Sequence, residues 1–156
     1  MTYESFISTP IGIMIATANE EAIVSLDFTE ETQLPVEGKD HPLLMQLKTE
    51  LDEYFRGVRD TFALPLAPEG TPFQKNVWDV LRTIPYGETI SYAAEAKCIG
   101  NPKATRAVAN ANGKNPIAIL IPCHRVIASG GGLGGYSGGL WRKEFLLHLE
   151  SKKSSR

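Results

Sequence analysis

Residues 91–108 read SYAAEAKCIGNPKATRAV and contain two short helical segments separated by a turn. Ser91 is a suitable N-cap for the first segment, and Asn101-Pro102 begins the second. With the Ile99-Gly100 turn between them, the pair has the proportions of a helix-turn-helix. Helix pairs are common, so this stretch decides the fold only together with the segments around it.

A clear helix start lies upstream of this pair. Thr71 can cap the helix, Pro72 suits its first position and Gln74 completes a capping box. The apolar stripe expected to face the core consists of Phe73, Val77, Leu81 and Ile84. Because the segment Ala67–Gly70 breaks the chain just before Thr71, we place a domain boundary there, between residues 1–70 and 71–156.

The first 70 residues have the pattern of a small sheet with a helix. Apolar residues alternate along residues 11–15 and 22–28, which is the period of half-buried strands in an antiparallel meander. After a polar stretch, residues 42–56 carry apolar side chains at helical spacing. Residues 62–66 are a candidate for one more strand. The sequence predicts an α+β domain here.

The charge is distributed unevenly between the two halves. Residues 1–70 hold 4 Lys/Arg and 13 Asp/Glu, a formal charge of −9, whereas residues 71–156 hold 12 Lys/Arg and 5 Asp/Glu, a formal charge of +7. No acidic residue occurs from Ala96 to Lys143. This asymmetry indicates either a polyanionic partner for the second half, such as nucleic acid, or a solvated basic surface.

The segment Pro122-Cys123-His124-Arg125 follows the apolar run Ile117–Ile121, which has the length of a buried strand or extended segment. A cysteine in such surroundings is usually a small buried hydrophobe. Here a histidine and an arginine follow it directly, and such neighbours favour a thiolate and supply a base. Cys123 is therefore a candidate nucleophile. The glycine-rich segment 130–139 after it is either a linker or a loop that approaches a ligand closely.

Several classes of protein and site are disfavoured. Cys98 and Cys123 are too few for a disulfide framework, and the Cys and His spacings fit no zinc site, so we expect no metal and no cofactor. No apolar run reaches the roughly 20 residues that a bilayer crossing needs. The N-terminus does not resemble a signal peptide. We expect a cytoplasmic, monomeric protein that does not interact with membranes.

Residues 115–126, NPIAILIPCHRV, closely resemble the active-site signature of the O6-alkylguanine-DNA alkyltransferases. The resemblance extends to residues 135–140 and 143–147, and residues 86–92 and 100–108 resemble the helix-turn-helix region of that family. It implies an α+β fold with a small N-terminal antiparallel sheet and helix, in a ribonuclease-H-like layout, followed by a mostly helical C-terminal domain. The first 70 residues are similar to the family only in length and layout.

The resemblance also implies a reaction and the groups that perform it. Cys123 would take an alkyl group from O6 of guanine in double-stranded DNA, with O4 of thymine as a second candidate position. His124 would remove the thiol proton through a water molecule and Glu144 would orient His124. Asn115 would hold the turn, and Tyr92 would donate a proton to N3 of the base.

The remaining implied roles concern the DNA and the flipped-out base. Arg106 would fill the gap left in the duplex, unless it only contacts phosphate, and the small Ala107 would let its helix approach the minor groove. Val126 would accept the exocyclic amine through its carbonyl, as would Cys123. Three further positions belong to this group. Arg125 would be a nearby cation, and the amide of Ser137 would bind O6. Tyr136 would stack on the base or act as a packing anchor.

Three other functions remain to be weighed against this one. An alkyltransferase-like protein would bind the damaged base without transfer, but such proteins replace the nucleophile that Cys123 supplies here. A transcriptional regulator would leave the Cys-His-Arg turn unexplained. A cysteine hydrolase would need a histidine that reaches the thiol directly, and the adjacent His124 is poorly placed for that.

Overall fold

The computed structural model describes residues 1–35 and 40–154; residues 36–39 of the polar stretch and the last two residues of the C-terminal domain lie outside the described residues. The chain divides into two compact units, Met1–Glu69 and Gly70–Arg156. Among the described residues, no helix combines the length and the apolarity that a membrane crossing requires.

The first unit is built on a three-stranded antiparallel sheet in the order β1-β2-β3. Its strands are β1 (Tyr3–Thr9), β2 (Gly12–Ala18) and β3 (Ile23–Phe28). Met14, Ala16 and Ala18 of β2 are fully buried, whereas Ile15, part of the alternation that predicted this strand, is only half-buried. The expected meander is confirmed.

Helix α1 (Pro42–Phe55) packs on this sheet. Its buried face includes Leu44, Leu47, Leu51 and Tyr54, the stripe expected from the sequence. The strand considered for residues 62–66 does not form: this segment makes one isolated parallel bridge, between Leu66 and Ile23. Hydrogen bonds from Ile23 N to Pro65 O and from Ala67 N to Ile23 O fix the segment at the edge of the sheet.

The second unit is mostly helical. Its elements are α2 (Pro72–Leu81), β4 (Ile90–Ser91), α3 (Tyr92–Cys98), α4 (Thr105–Gly113), β5 (Val126–Ile127) and α5 (Leu140–Ser154). The capping box expected at Thr71 and Gln74 is present, and the side chain of Ser91 caps α3 by accepting from Ala94 N. The two short strands pair in parallel and bring the start of α3 beside the end of the Cys123 turn. The predicted α+β fold with a helical second half is confirmed.

Three local predictions are corrected. The run Ile117–Ile121 is a buried turn and not a strand, with Ile119 in the left-handed region at a φ of 71°. Helix α4 begins at Thr105, because residues 101–104 form a turn before it. The exposed fraction of Phe73 is 39%, so the expected apolar stripe of α2 is only partly buried.

Candidate active site

Cys123 lies at the first position of a short 3-10 turn, Cys123–Arg125, and its side chain is buried. The turn is fixed by main-chain hydrogen bonds from Cys123 N to Ile121 O and from Arg125 N to Pro122 O. The thiol faces a cavity of about 370 Å³, which is within the range of small-ligand sites. The cavity is lined by Tyr92, Ala109, Asn112, Gly113, Cys123, Gly135, Tyr136 and Ser137.

Asn115 holds the segment that leads to the nucleophile. Its Nδ2 donates to the carbonyl of Ile121 at 2.7 Å, and its Oδ1 accepts from the amide of Ile117 at 3.0 Å. The two bonds close the buried turn in which Ile119 has its positive φ, a conformation that costs a β-branched residue energy. The side chain of Asn115 therefore holds this turn through main-chain groups.

His124 is fully buried and is held by a carboxylate. Its Nε2 lies 2.7 Å from Oε2 of Glu150 on α5. With the Nε2 proton donated to this carboxylate, the other ring nitrogen is a proton acceptor. That nitrogen, Nδ1, is buried and has no hydrogen-bond partner among the described residues. The arrangement is that of an oriented general base.

The carboxylate is Glu150 and not Glu144, so the expected role of Glu144 is wrong. Glu144 is exposed and lines a different cavity of about 360 Å³, which Cys123 does not line. The two glutamates lie on different sides of α5, since six residues correspond to a rotation of about 240° around the helix axis. Only Glu150 lies on the side of the helix that contacts the turn of Cys123.

Arg125 is also placed differently from expectation. The side chain is buried: its Nε donates to Oε1 of Glu150 at 2.8 Å, and its Nη1 donates to the carbonyl of Ile84 at 2.7 Å. Arg125 thus neutralises the buried carboxylate and is not available for a contact with DNA. Burial alone would raise the pKa of Glu150, but the charge of His124 and the hydrogen bonds from His124 and Arg125 lower that pKa to about 2.

The thiol itself is protonated at rest. Burial raises the pKa of Cys123 to about 11, although the hydrogen bond from Asn115 and the charge of Lys143 act in the opposite direction. Ionisation of this thiol in neutral solution therefore requires a base that takes the proton as the reaction proceeds. His124 is the residue that the turn places next to it.

Lys143 is a buried cation in this site that was seen in the sequence only as part of the basic stretch. Its Nζ donates to the carbonyls of Val126 at 2.6 Å and Gly135 at 3.0 Å. It also lies 5.7 Å from the centre of the Tyr92 ring. Burial lowers the pKa of Lys143, and the charge of Cys123 counteracts this. The sequence of α5 contains no signal that marks it, because the buried side of this helix carries Lys143, Leu146 and Glu150 and is not apolar.

Tyr92 forms the opposite wall of the cavity. Its hydroxyl lies 3.4 Å from the carbonyl of Gly135, which is a weak hydrogen bond. Burial raises the pKa of Tyr92, so the phenol stays neutral and can donate a proton. A Cβ at Gly134, whose φ is +72°, would lie 2.7 Å from the Tyr92 ring. Gly134 is therefore the position of the glycine-rich segment that packs closely on this tyrosine, whereas a Cβ at Gly130, Gly132 or Gly135 would meet nothing within 4 Å.

The helix pair α3–α4 carries the remaining predicted residues. Arg106 and Ala107 lie in the first turn of α4 and both are exposed. The indole Nε1 of Trp78 on α2 donates to the carbonyl of Ala111 at 2.9 Å and so fixes the other end of α4. Tyr136 and Ser137 lie at the cavity, whereas Val126 is buried with its carbonyl already bonded to Lys143.

Comparison with known proteins agrees with this geometry. Residues 72–152 match the DNA-binding domain of 6-O-methylguanine DNA methyltransferase, and residues 2–68 match the ribonuclease-like domain of the same family. A methylated-DNA–protein-cysteine methyltransferase of Methanosarcina acetivorans is 46% identical over 95% of this chain and 97% of its own length. The constitutive enzyme of that name from Bacillus subtilis is 44% identical, with 96% of both chains covered.

A solved structure is similar over almost the whole chain. The crystal structure of Mycobacterium tuberculosis OGT in complex with DNA has a TM-score of 0.88 and 42% sequence identity, and the match covers 97% of this chain and 94% of that one. Together with the matches of both domains, this shows that the chain belongs to the 6-O-methylguanine DNA methyltransferase family.

Proposed function

We propose that this protein repairs DNA by moving the alkyl group of an O6-alkylguanine irreversibly to its own Cys123. The observation that carries the proposal is the buried thiol of Cys123 at a small cavity, followed by a histidine that Glu150 orients. The acceptor nitrogen of His124 has no other partner among the described residues and can receive the thiol proton. Membership of the family supplies the substrate class.

The transfer is a displacement at the alkyl carbon. Sγ of Cys123 loses its proton to Nδ1 of His124, directly or through one water molecule, and forms a bond to the carbon. The bond from that carbon to O6 breaks, and its electron pair stays on the guanine. Glu150 stabilises the imidazolium that forms, as a buried carboxylate does in other His-assisted nucleophiles.

The negative charge on the leaving guanine is neutralised at the cavity wall. Tyr92 is the proton donor to N3 that we propose, since its hydroxyl is neutral and only weakly bonded. Tyr136 would stack on the base and the amide of Ser137 would bind O6. The carbonyls of Cys123 and Val126 would accept the exocyclic amine at C2, which guanine has and adenine lacks. The Val126 carbonyl has a second lone pair beside the one bonded to Lys143.

The DNA is engaged by α4 in this proposal. The exposed Arg106 would take the place of the extruded nucleotide, and Ala107 beside it leaves space for the minor groove. Since the second half carries a formal charge of +7, binding should weaken strongly as salt increases and depend little on base sequence. The reduced thiol that the reaction requires fits a cytoplasmic location.

The product is a thioether, and no group at the cavity offers a route to cleave it, so each molecule should react once. Intact-mass analysis after incubation with an O6-methylguanine duplex tests this. We expect the mass to rise by one methylene group, the rise to map to Cys123, and no second turnover to occur. Cys98→Ser should react normally because this exposed cysteine lies outside the cavity, whereas Cys123→Ser should not react.

Two results would contradict the proposal. Binding of the lesion without a change in mass would assign the protein to the damage-binding class that acts without transfer. Several turnovers per molecule would exclude a thioether product.

A further inference from the structure

A buried polar pair joins the two helices of the helix-turn-helix, and the mechanism above does not use it. Glu95 on α3 has no exposed surface, and Asn112 on α4 is 6% exposed. Nδ2 of Asn112 donates to Oε1 of Glu95 at 2.8 Å. Because Asn112 also lines the cavity of Cys123, the pair is part of the support of the cavity wall.

The hydrogen bonding of this pair favours a protonated Glu95. Oε2 of Glu95 and Oδ1 of Asn112 are both buried and have no hydrogen-bond partner among the described residues. A carboxylate would leave two buried acceptors unpaired, which is costly. A carboxylic acid brings one additional donor, and an acid and an amide can then satisfy each other with two hydrogen bonds.

No described cation compensates a charge on Glu95. Lys75 and Asp79 on α2, Lys97 on α3 and Arg106 on α4 are exposed. Strands β4 and β5 carry no titratable side chain, and Lys143 is bonded to main-chain carbonyls. The groups that interact electrostatically with Glu95 are Tyr92 and Cys123. Burial raises the pKa of Glu95 to about 7, and the hydrogen bond from Asn112 only partly offsets this.

We propose that Glu95 is a positioning residue for alkyl transfer: as a neutral acid it holds Asn112 in the cavity wall, and when it ionises it slows the reaction. The inference rests on the proposed function, since it concerns the rate of that reaction. A carboxylate at this place raises the pKa of both Cys123 and Tyr92. It therefore disfavours the thiolate and the transfer of a proton to the leaving base.

The test is the pH profile of the single-turnover rate with an O6-methylguanine duplex. Alkaline solution normally accelerates thiol reactions, so the quantity to compare is the ratio of the wild-type rate to that of Glu95→Gln, an isosteric neutral variant. We expect a ratio near one at about pH 6 and about one-tenth at about pH 8.5, corresponding to a change of roughly one unit in the thiol pKa. Glu88→Gln, which removes an exposed carboxylate outside this cavity, should keep the wild-type profile.

A second variant separates the charge of Glu95 from its hydrogen bond and serves if Glu95→Gln does not fold. Asn112→Ala removes the group that the neutral acid holds, so its rate should be lower than that of the wild type at about pH 6 and approach it at about pH 8.5, where Glu95 of the wild type is ionised. A profile of Glu95→Gln parallel to that of the wild type, or an Asn112→Ala rate equal to that of the wild type at about pH 6, would overturn the inference. Absence of transfer by the wild type would instead overturn the proposed function.

Discussion

Glu150 and Glu95 are two buried glutamates of the same domain, and they stand in opposite electrostatic environments. Glu150 contacts the imidazole of His124 and the guanidinium of Arg125, whereas the hydrogen-bond partner of Glu95 among the described residues is the amide of Asn112. The pKa of the first is lowered to about 2 and that of the second is raised to about 7. Because the two carboxyl groups are similarly buried, their hydrogen-bond and charge partners, and not the depth of burial, determine whether each carboxyl group is charged.

This difference divides the site into two parts with different tasks. On the side of Glu150, a permanent negative charge orients the base that takes the proton from Cys123. On the other side, Tyr92 lines the cavity as a neutral phenol, and Glu95 supports the same wall through Asn112 as a neutral acid below about pH 7. Carboxyl groups whose environments separate their pKa values in this way commonly have different roles in one reaction.

The largest effect is expected from removing the charge of Glu150. Glu150→Gln keeps the shape but not the carboxylate that orients His124, so the transfer rate should fall roughly 10³-fold, within the usual range for loss of general-base assistance. Rates are to be measured in single-turnover mode, at a temperature where unfolding curves show the variant to be native. Glu144→Gln is the matched control on the same helix and should change the rate less than about twofold. Equal losses in the two variants would show that Glu150 has no special role.

Acid unfolding should reveal the same charge. Because the folded-state pKa of Glu150 lies below the ordinary value, its contribution to stability is present above about pH 4.5 and is lost as the pH falls through about 2. The shift corresponds to about 3 kcal/mol of unfolding free energy. Urea unfolding of the wild type and Glu150→Gln across this window measures it. A difference between the two proteins that does not shrink toward low pH would contradict this assignment.

Glu95 should produce a dependence of the opposite sign. Its folded-state pKa is raised, so its contribution is fully present below about pH 4.5 and is lost as the pH rises through about 7. Relative to the wild type, Glu95→Gln should gain unfolding free energy between these values, by up to about 3 kcal/mol, and keep a constant advantage above them. Urea unfolding at intervals from about pH 4 to 8 gives the curve, and a flat difference would rule out ionisation of Glu95 in this range.

The smallest effect is expected from the loop that packs on Tyr92. Gly134→Ala places a Cβ 2.7 Å from the Tyr92 ring and requires an alanine at a positive φ. Displacement of the phenol should lower the transfer rate about fivefold without changing the pH dependence set by Glu95. Gly132→Ala is the matched control in the same loop, since nothing lies within 4 Å of its Cβ. The same rate for both alanine variants would mean that the loop does not position Tyr92.

Features set by neighbouring residues could be predicted from the sequence. The capping box of Thr71 and Gln74 and the cap of Ser91 depend on side chains within three residues of the helix start. The role of Asn115 in holding its turn is of the same local kind. The alternation along residues 11–15 likewise predicts a strand, although the fully covered positions of β2 are Met14, Ala16 and Ala18 and not the alternating isoleucines.

Features set by the packing of distant segments could not be predicted from the sequence. Which glutamate of α5 reaches His124 depends on the rotation of the helix against the turn, and the sequence contains no signal for it. The apolar run Ile117–Ile121 has the composition of a strand, but the bonds to Asn115 close it into a turn. The sequence indicates Arg125 only as a cation near Cys123 and the bound base, whereas its side chain packs against Glu150.

The different protonation states of Glu95 and Glu150 can be measured directly by NMR titration of the side-chain carboxyl carbons in glutamate-labelled protein, with Glu95→Gln and Glu150→Gln used to assign the two signals. We expect the Glu150 signal to remain that of a carboxylate down to about pH 3, and the Glu95 signal to change from acid to carboxylate with a midpoint near 7. Two signals that titrate together near the ordinary value for glutamate would contradict this expectation.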